Sequence, residues 1–389
     1  MTRGSRWRIR WTLLVAVWVL SFIPIIGSQQ GTTQGAPPVG QIPTVIQVPK
    51  TIQVPATGIQ VPTERGLVRI AGRGGRPPRR LADMTMPIPA DNPMTDAKAA
   101  LGRKLFFEKK LSADGSVSCA TCHEPARAFA DNRTLAVGVH GRVGKRHSPA
   151  LINRGFGRVY FWDGRADTLE AQVLLPISDP NEMDLPIDEA LKRLSDDKSY
   201  RTTFETVFAR PLSADDLARA LATYVRSIRS GESPYDRFVA GDTSALTEEQ
   251  QRGREVFNRS ACGVCHREPL FTDERFWNTG VAWNPETGYS DDGRYDVSKI
   301  ERDRGSFKTP TLREVARTAP YMHDGSLATL SDVVEFYDKG GRPNSNRTRV
   351  GNEILPPRIF FVRAMHLSAD DKQALVRFLE SLSGVVTAR

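Results

Sequence analysis

Hydrophobic positions along the chain fall into three regimes. A single apolar run extends from Trp11 to about Gly27. A Pro- and Gly-rich stretch follows, in which Ile-Gln-Val-Pro recurs at 46–49, 52–55 and 59–62. From about residue 91 the apolar positions take up helical spacing. One helix starts after Thr95 with Leu101, Leu105 and Phe106 on one face. Another starts from the capping box Thr247-Glu248-Glu249-Gln250 and leads to Val256 and Phe257. A third, from Leu330, puts Val333, Val334 and Tyr337 on its inward side and ends at Gly340-Gly341. Strand signals are weak throughout, so the predicted class is mostly α.

The helical part repeats itself. Gly-Arg-x-[Leu/Val]-Phe occurs at 102–106 and 253–257, and Cys-x-x-Cys-His follows each copy. Leu-Ser-Ala-Asp-Asp opens a closing helix at 212–216 and at 367–371, with Ser213 and Ser368 as N-caps. Leu217, Leu221 and Tyr224 correspond to Leu375, Phe378 and Leu382 as buried stripes. Two helical modules are expected, at 91–242 and 243–389.

Charge changes the picture at the N-terminus only. Residues 1–90 hold eleven Lys or Arg against two acids, Glu64 and Asp83, which accounts for the whole net charge of +9. The folded remainder is neutral, so nucleic acid is not an expected partner. Arginines before an apolar run read as an export signal over 1–28, either cleaved or retained as a membrane anchor. Residues 29–90 read as an extended linker, a tether between membrane and folded part. A periplasmic protein, soluble or membrane-anchored, is expected.

The candidate chemistry lies in the four cysteines, Cys119, Cys122, Cys262 and Cys265, which form Cys-Ala-Thr-Cys-His123 and Cys-Gly-Val-Cys-His266. Two thiols three residues apart can form thioethers to the vinyl groups of one haem, and the next imidazole then reaches the iron. A zinc site wants its pairs about 15–20 residues apart, whereas these stand 143 apart. Redox dithiols or structural bridges explain a single Cys-x-x-Cys. They do not explain why two of six histidines follow the pairs directly. Two covalently bound haems c are expected, at Cys119, Cys122, His123 and at Cys262, Cys265, His266. Taken singly, Trp162 reads as core packing, Glu182 as a surface charge or cap, and Tyr337 as a buried tyrosine.

Several blocks taken together resemble one family. They are Asp91-Asn92-Pro93-Met94, Ser112 to Ser118, Phe161-Trp162-Asp163-Gly164-Arg165-Ala166, Gln172, Pro180-Asn181-Glu182-Met183, Lys308 to Arg313 and Ala319 to Gly325. The chain is similar here, over roughly 81–389, to the bacterial di-haem cytochrome c peroxidases and MauG. The resemblance implies that His123 is the proximal ligand of a peroxide-reacting haem, with Glu182 as its distal carboxylate and Gln172 as a distal amide. It implies that Trp162 relays oxidising equivalents between the haems and that Tyr337 is the distal ligand of the second. Thr318 and Pro320 would supply carbonyl ligands to one calcium ion, though His147 stands where the family often has an asparagine. His140 lies near the position of a distal histidine found in the peroxidases, and is a candidate iron ligand. Met322 and Met365 are fallback ligands for the second haem, and Trp277 stands where relatives often carry histidine. His323 is a neighbour of the second haem, and His366 reads as a surface residue.

The implied reaction is reduction of hydrogen peroxide at the first haem. The implied electron source is a small cytochrome c or copper protein, or else side chains of a protein substrate as in MauG. A thioether at position 337 would raise the second haem's potential, whereas a phenolate favours higher oxidation states. A non-catalytic di-haem electron carrier is the remaining alternative.

Overall fold

A computed structural model describes residues 80–284, 286–342 and 362–389, and the backbone of four further short strands. The predicted signal or anchor over 1–28 and most of the linker lie outside the described residues. Within that linker, the third Ile-Gln-Val-Pro forms part of β1 (Ile59–Thr63), which pairs antiparallel with β2 (Gly66–Ile70). This hairpin belongs to one compact unit, and residues from Arg76 onward form another. Leu81 is already buried in the second unit.

That second unit is helical. Its first half contains α1 (Asp96–Phe106), α2 (Cys119–Cys122), α3 (Leu169–Ser178), α4 (Ile187–Asp196), α5 (Lys198–Phe208) and α6 (Ala214–Ser227). Next come α7 (Pro234–Val239), α8 (Glu248–Arg259), α9 (Cys262–Cys265), α10 (Tyr295–Ser298), α11 (Leu330–Asp338) and α12 (Ala369–Glu380). The caps are those read from the sequence: Thr95, Ser213, Thr247 and Ser368 each accept a backbone N–H of the first turn. Strands are short: β3 (Arg229–Gly231), β4 (Phe276–Trp277), β5 (Trp283–Asn284), β6 (Gly288–Tyr289), β7 (Phe307–Lys308), β8 (Thr348–Val350), β9 (Glu353–Leu355) and β10 (Val385–Thr387). No described helix is long and apolar enough to cross a membrane.

The repeat is a physical one. α1 crosses α6 at Gly102, and α8 crosses α12 at Gly253. A Cβ at either glycine would overlap a carbonyl of the facing helix, that of Ala220 or Ala374. Beside each crossing three rings pack together. Phe106, Phe129 and Tyr224 have centroids 5.1–6.5 Å apart, and Phe257, Phe271 and Phe378 have centroids 5.3–6.3 Å apart. Each half thus has its own apolar cluster. Gly253→Ala should destabilise the protein by about 2 kcal/mol or more in urea unfolding, although alanine favours an isolated helix by about 1 kcal/mol. A stabilised variant would show that the crossing can relax.

The halves also interlock. β10 pairs antiparallel with β3, so the C-terminus is sewn to the end of the first half. Buried Glu314 accepts hydrogen bonds from the Ser230 hydroxyl at 2.6 Å and the Gly384 N–H at 2.7 Å. The His147 N–H donates to the His323 carbonyl at 2.7 Å, and the Lys308 N–H donates to the Trp162 carbonyl at 2.8 Å. These last two hydrogen bonds, one donated by each half, join corresponding points of the repeat.

Candidate active site

One large cavity, about 950 Å³, opens between the two halves. Cys119, Cys122, His123, Cys262, Cys265 and His266 all line it. The cysteines are unbridged. Burial pushes Cys119 up to about 12 and Cys262 and Cys265 to about 11. Redox dithiols work through a lowered thiol, so these pairs are poorly suited to disulfide exchange. Among the described residues no three His, Cys, Asp or Glu side chains gather closely enough to hold a metal ion.

The two histidines are held alike. His123 Nδ1 lies 3.0 Å from the Phe129 carbonyl, and His266 Nδ1 lies 3.0 Å from the Phe271 carbonyl. A carbonyl only accepts, so Nδ1 carries the proton and Nε2 keeps its lone pair. Burial lowers the basicity of both rings, which further favours the neutral form that binds metal. Half-buried thiol pairs, a neutral imidazole beside each and one large cavity with a mostly apolar lining fit a pair of thioether-linked iron porphyrins.

Trp162, Gln172, Glu182 and Tyr337 line the same cavity. Trp162 is held on both sides, since its Nε1–H donates to the His147 carbonyl at 2.9 Å while its own carbonyl takes the Lys308 N–H. Gln172 projects from α3. Glu182 follows α3, and its carbonyl accepts the Val139 N–H at 2.9 Å. Burial pushes the Glu182 carboxyl up to about 7; Asp179 adds to this and Arg165 opposes it. Burial likewise raises the Tyr337 phenol, aided by Cys265 and Cys262.

His140 is not in the cavity wall. Its backbone is left-handed (φ 56°), its side chain is about half exposed, and Nδ1 lies 3.4 Å from Asp114. His147 is buried in the wall, with Nδ1 2.9 Å from the Arg133 carbonyl. Thr318 and Pro320 line the cavity, and among the described residues neither carbonyl accepts a hydrogen bond. Met322, Met365 and Trp277 also reach the wall, while His323 stacks on Phe307 with centroids 3.7 Å apart. His366 is exposed.

The repeat extends into the site and exposes a residue that sequence reasoning missed. Tyr160 N–H donates to the Ala166 carbonyl, and Tyr321 N–H to the Leu327 carbonyl. Phe161 and Met322, then Gly164 and Gly325, share positive φ. Thr168 and Thr329 then cap α3 and α11. In that register Leu169 matches Leu330, Gln172 matches Val333, Val173 matches Val334, and Pro176 matches Tyr337. Pro176 and Tyr337 both line the cavity. The available signal was Tyr-x-x-Asp-Gly-x-x-x-Thr-Leu, which occurs at 160–169 and again at 321–330.

Comparison with known proteins agrees with this geometry. A family model described as di-haem cytochrome c peroxidase matches residues 96–244. Methylamine utilization protein MauG of Methylorubrum extorquens is 38% identical over 301 residues, covering 77% of this chain and 81% of that protein. Cytochrome-c peroxidase IdrP2 of Denitromonas iodatirespirans is 36% identical over 311 residues, covering 73% and 81%. Among solved structures, a MauG-like protein associated with microbial copper homeostasis superposes with a TM-score of 0.68 at 31% identity, covering 81% of this chain and 95% of that one.

Proposed function

The chain belongs to the di-haem cytochrome c peroxidase family, and on that premise we propose a division of labour between its two halves. The protein is a di-haem peroxidase-type oxidoreductase. In our reading residues 91–242 and 243–389 are cytochrome c-like modules. Cys119 and Cys122 hold the first haem c by thioethers, with His123 as proximal ligand; Cys262, Cys265 and His266 hold the second. The observation that carries the reading is the pairing of Pro176 with Tyr337 in the repeat. A phenol at this point of α11 can ligate, whereas a proline at the same point of α3 has no donor atom. The second module would thus offer its haem a donor side chain at this point, whereas the first offers none there and would leave room for hydrogen peroxide.

When bound, the haem irons supply the electrons that reduce peroxide and a conduit for the oxidising equivalents that result. The chain's own residues handle protons and position. The Glu182 carboxylate accepts a proton from one peroxide oxygen and returns it to the other, so that the O–O bond breaks unevenly. The Gln172 amide, one turn before Pro176, orients peroxide by hydrogen bonding. Trp162, fixed by backbone hydrogen bonds to His147 and Lys308, is a rigid aromatic relay between the modules. The free carbonyls of Thr318 and Pro320 suit a calcium ion, which prefers oxygen ligands. His140, half exposed beside Asp114, has no ligand role in this form.

Peroxide-driven oxidation should rise with pH through about 7, because the buried Glu182 carboxyl must lose its proton before it can accept one. Glu182→Gln should slow that oxidation by about 10²- to 10⁴-fold, flatten the pH profile and leave the haem mass unchanged. An unaltered rate removes Glu182 from the mechanism.

The electrons come from a small cytochrome c or copper protein in the peroxidase reading. Tyr337 favours a second reading, in which a partner protein's side chain is oxidised, because a phenolate stabilises higher oxidation states. Rapid steady-state peroxide turnover with reduced cytochrome c decides for the first; single-turnover reactivity without it decides for the second. Export to the periplasm, with the N-terminal segment as leader or tether, fits covalent haem attachment outside the cytoplasm.

A further inference from the structure

Several charged groups in the cavity wall are closely matched. Arg146 is met by Asp163 at 2.6 Å and Asp291 at 2.7 Å, and Arg313 by Asp236 at 2.6 Å. Lys308 is different. Glu274 is its nearest acid, 3.9 Å from Nζ. That carboxylate is already engaged by Arg154 Nη1 and by the Arg158 N–H, each at 2.7 Å. Among the described residues the Lys308 ammonium makes no hydrogen bond. Its side chain is 11% exposed and that of Arg154 is 12% exposed. Two buried cations therefore share one carboxylate, and both line the cavity.

A buried ammonium without a close partner is costly and tends to discharge. Burial, reinforced by Arg154, holds Lys308 down to about 7 despite Glu274. An anion in the cavity would remove that cost. The frame around Lys308 belongs to the second Cys-x-x-Cys-His. Thr309 N–H donates to the Arg275 carbonyl at 2.8 Å, the Thr272 hydroxyl donates to the Thr309 carbonyl at 2.7 Å, and the Pro310 carbonyl faces the His266 ring.

We propose that the Lys308 ammonium, backed by the Arg154 guanidinium, binds an ionised carboxylate side arm of the second haem. The inference rests on the di-haem reading above and adds an ionic anchor to the two thioethers of Cys262 and Cys265 and the imidazole of His266. It also makes Lys308 a tuning residue, since a cation near the iron favours the reduced state.

The test uses the full-length holoprotein, with intact mass and spectroelectrochemical titration of both haems at pH 8. Lys308→Met should keep both haem masses and shift the second haem toward oxidation by tenfold or more, about 59 mV for a one-electron couple. Lys308→Arg should keep the potential within a twofold change. An unmoved second potential in Lys308→Met, or a shift confined to the first haem, overturns the proposal while leaving the di-haem reading intact. A wild-type protein without two haem masses overturns that reading and this inference together.

Discussion

Replacing Pro176 by methionine should fill the open distal face of the first haem and suppress peroxide turnover about 100-fold. The expectation follows from register. Pro176 stands on α3 where Tyr337 stands on α11, seven residues beyond the buried leucines that follow the two capping threonines. A flexible thioether at this point has the reach that proline lacks. A competing ligand favoured by about 3 kcal/mol lowers the open fraction, and with it the rate, roughly 100-fold. The oxidised protein should lose its high-spin signal and become wholly low-spin. Pro176→Ala is the control, since it offers no donor and restores a helical N–H, so the face stays open. A methionine variant that remains high-spin and keeps turning over peroxide would falsify the assignment of Pro176 to that face.

Which parts of this site were legible beforehand depended on how far apart the cooperating groups lie in the chain. Thioether attachment needs both thiols and the imidazole within one turn, so Cys119 to His123 and Cys262 to His266 could be read directly and do line one cavity. The capping residues were equally local, because N-caps act over a few residues, whereas each ring cluster joins side chains from three separate segments and Phe129 and Phe271 were not foreseen. Tyr337 lay on the inward face of a recognisable helix and reaches the cavity as expected. His140 shows the limit. Its place was judged from spacing in a loop, where one left-handed residue redirects the chain, and it points to Asp114 at the surface. The pairing of Pro176 with Tyr337 was missed although the two loops share Tyr-x-x-Asp-Gly-x-x-x-Thr-Leu, because the paired residues are themselves unlike and lie seven residues beyond that block. The group formed by Arg154, Glu274 and Lys308 was hidden for another reason. The β4–β7 pairing brings Glu274 and Lys308 together within the second half, and only the packing of the first half on it adds Arg154.

Exchanging Tyr337 for methionine should move the second haem's potential upward more than any other single change in the chain. Axial ligands alone span about 0.8 V in haem proteins, and passing from an anionic oxygen to a neutral thioether should raise the potential by about 0.2 V or more. The burial that raises the Tyr337 phenol means that only a strong cationic partner can hold it as phenolate. A neutral thioether in its place needs no such partner, and it would favour the reduced state that a cytochrome-fed peroxidase stores. Steady-state peroxide turnover with reduced cytochrome c should therefore rise, while oxidation of protein side chains falls. Spectroelectrochemical titration of wild type against Tyr337→Met measures the first effect, and the two assays measure the second. If the potential does not move, the distal ligand is not Tyr337. Met322 and Met365, which share its cavity wall, are then the residues to replace, and the second haem of the wild type would already have the potential of an electron store.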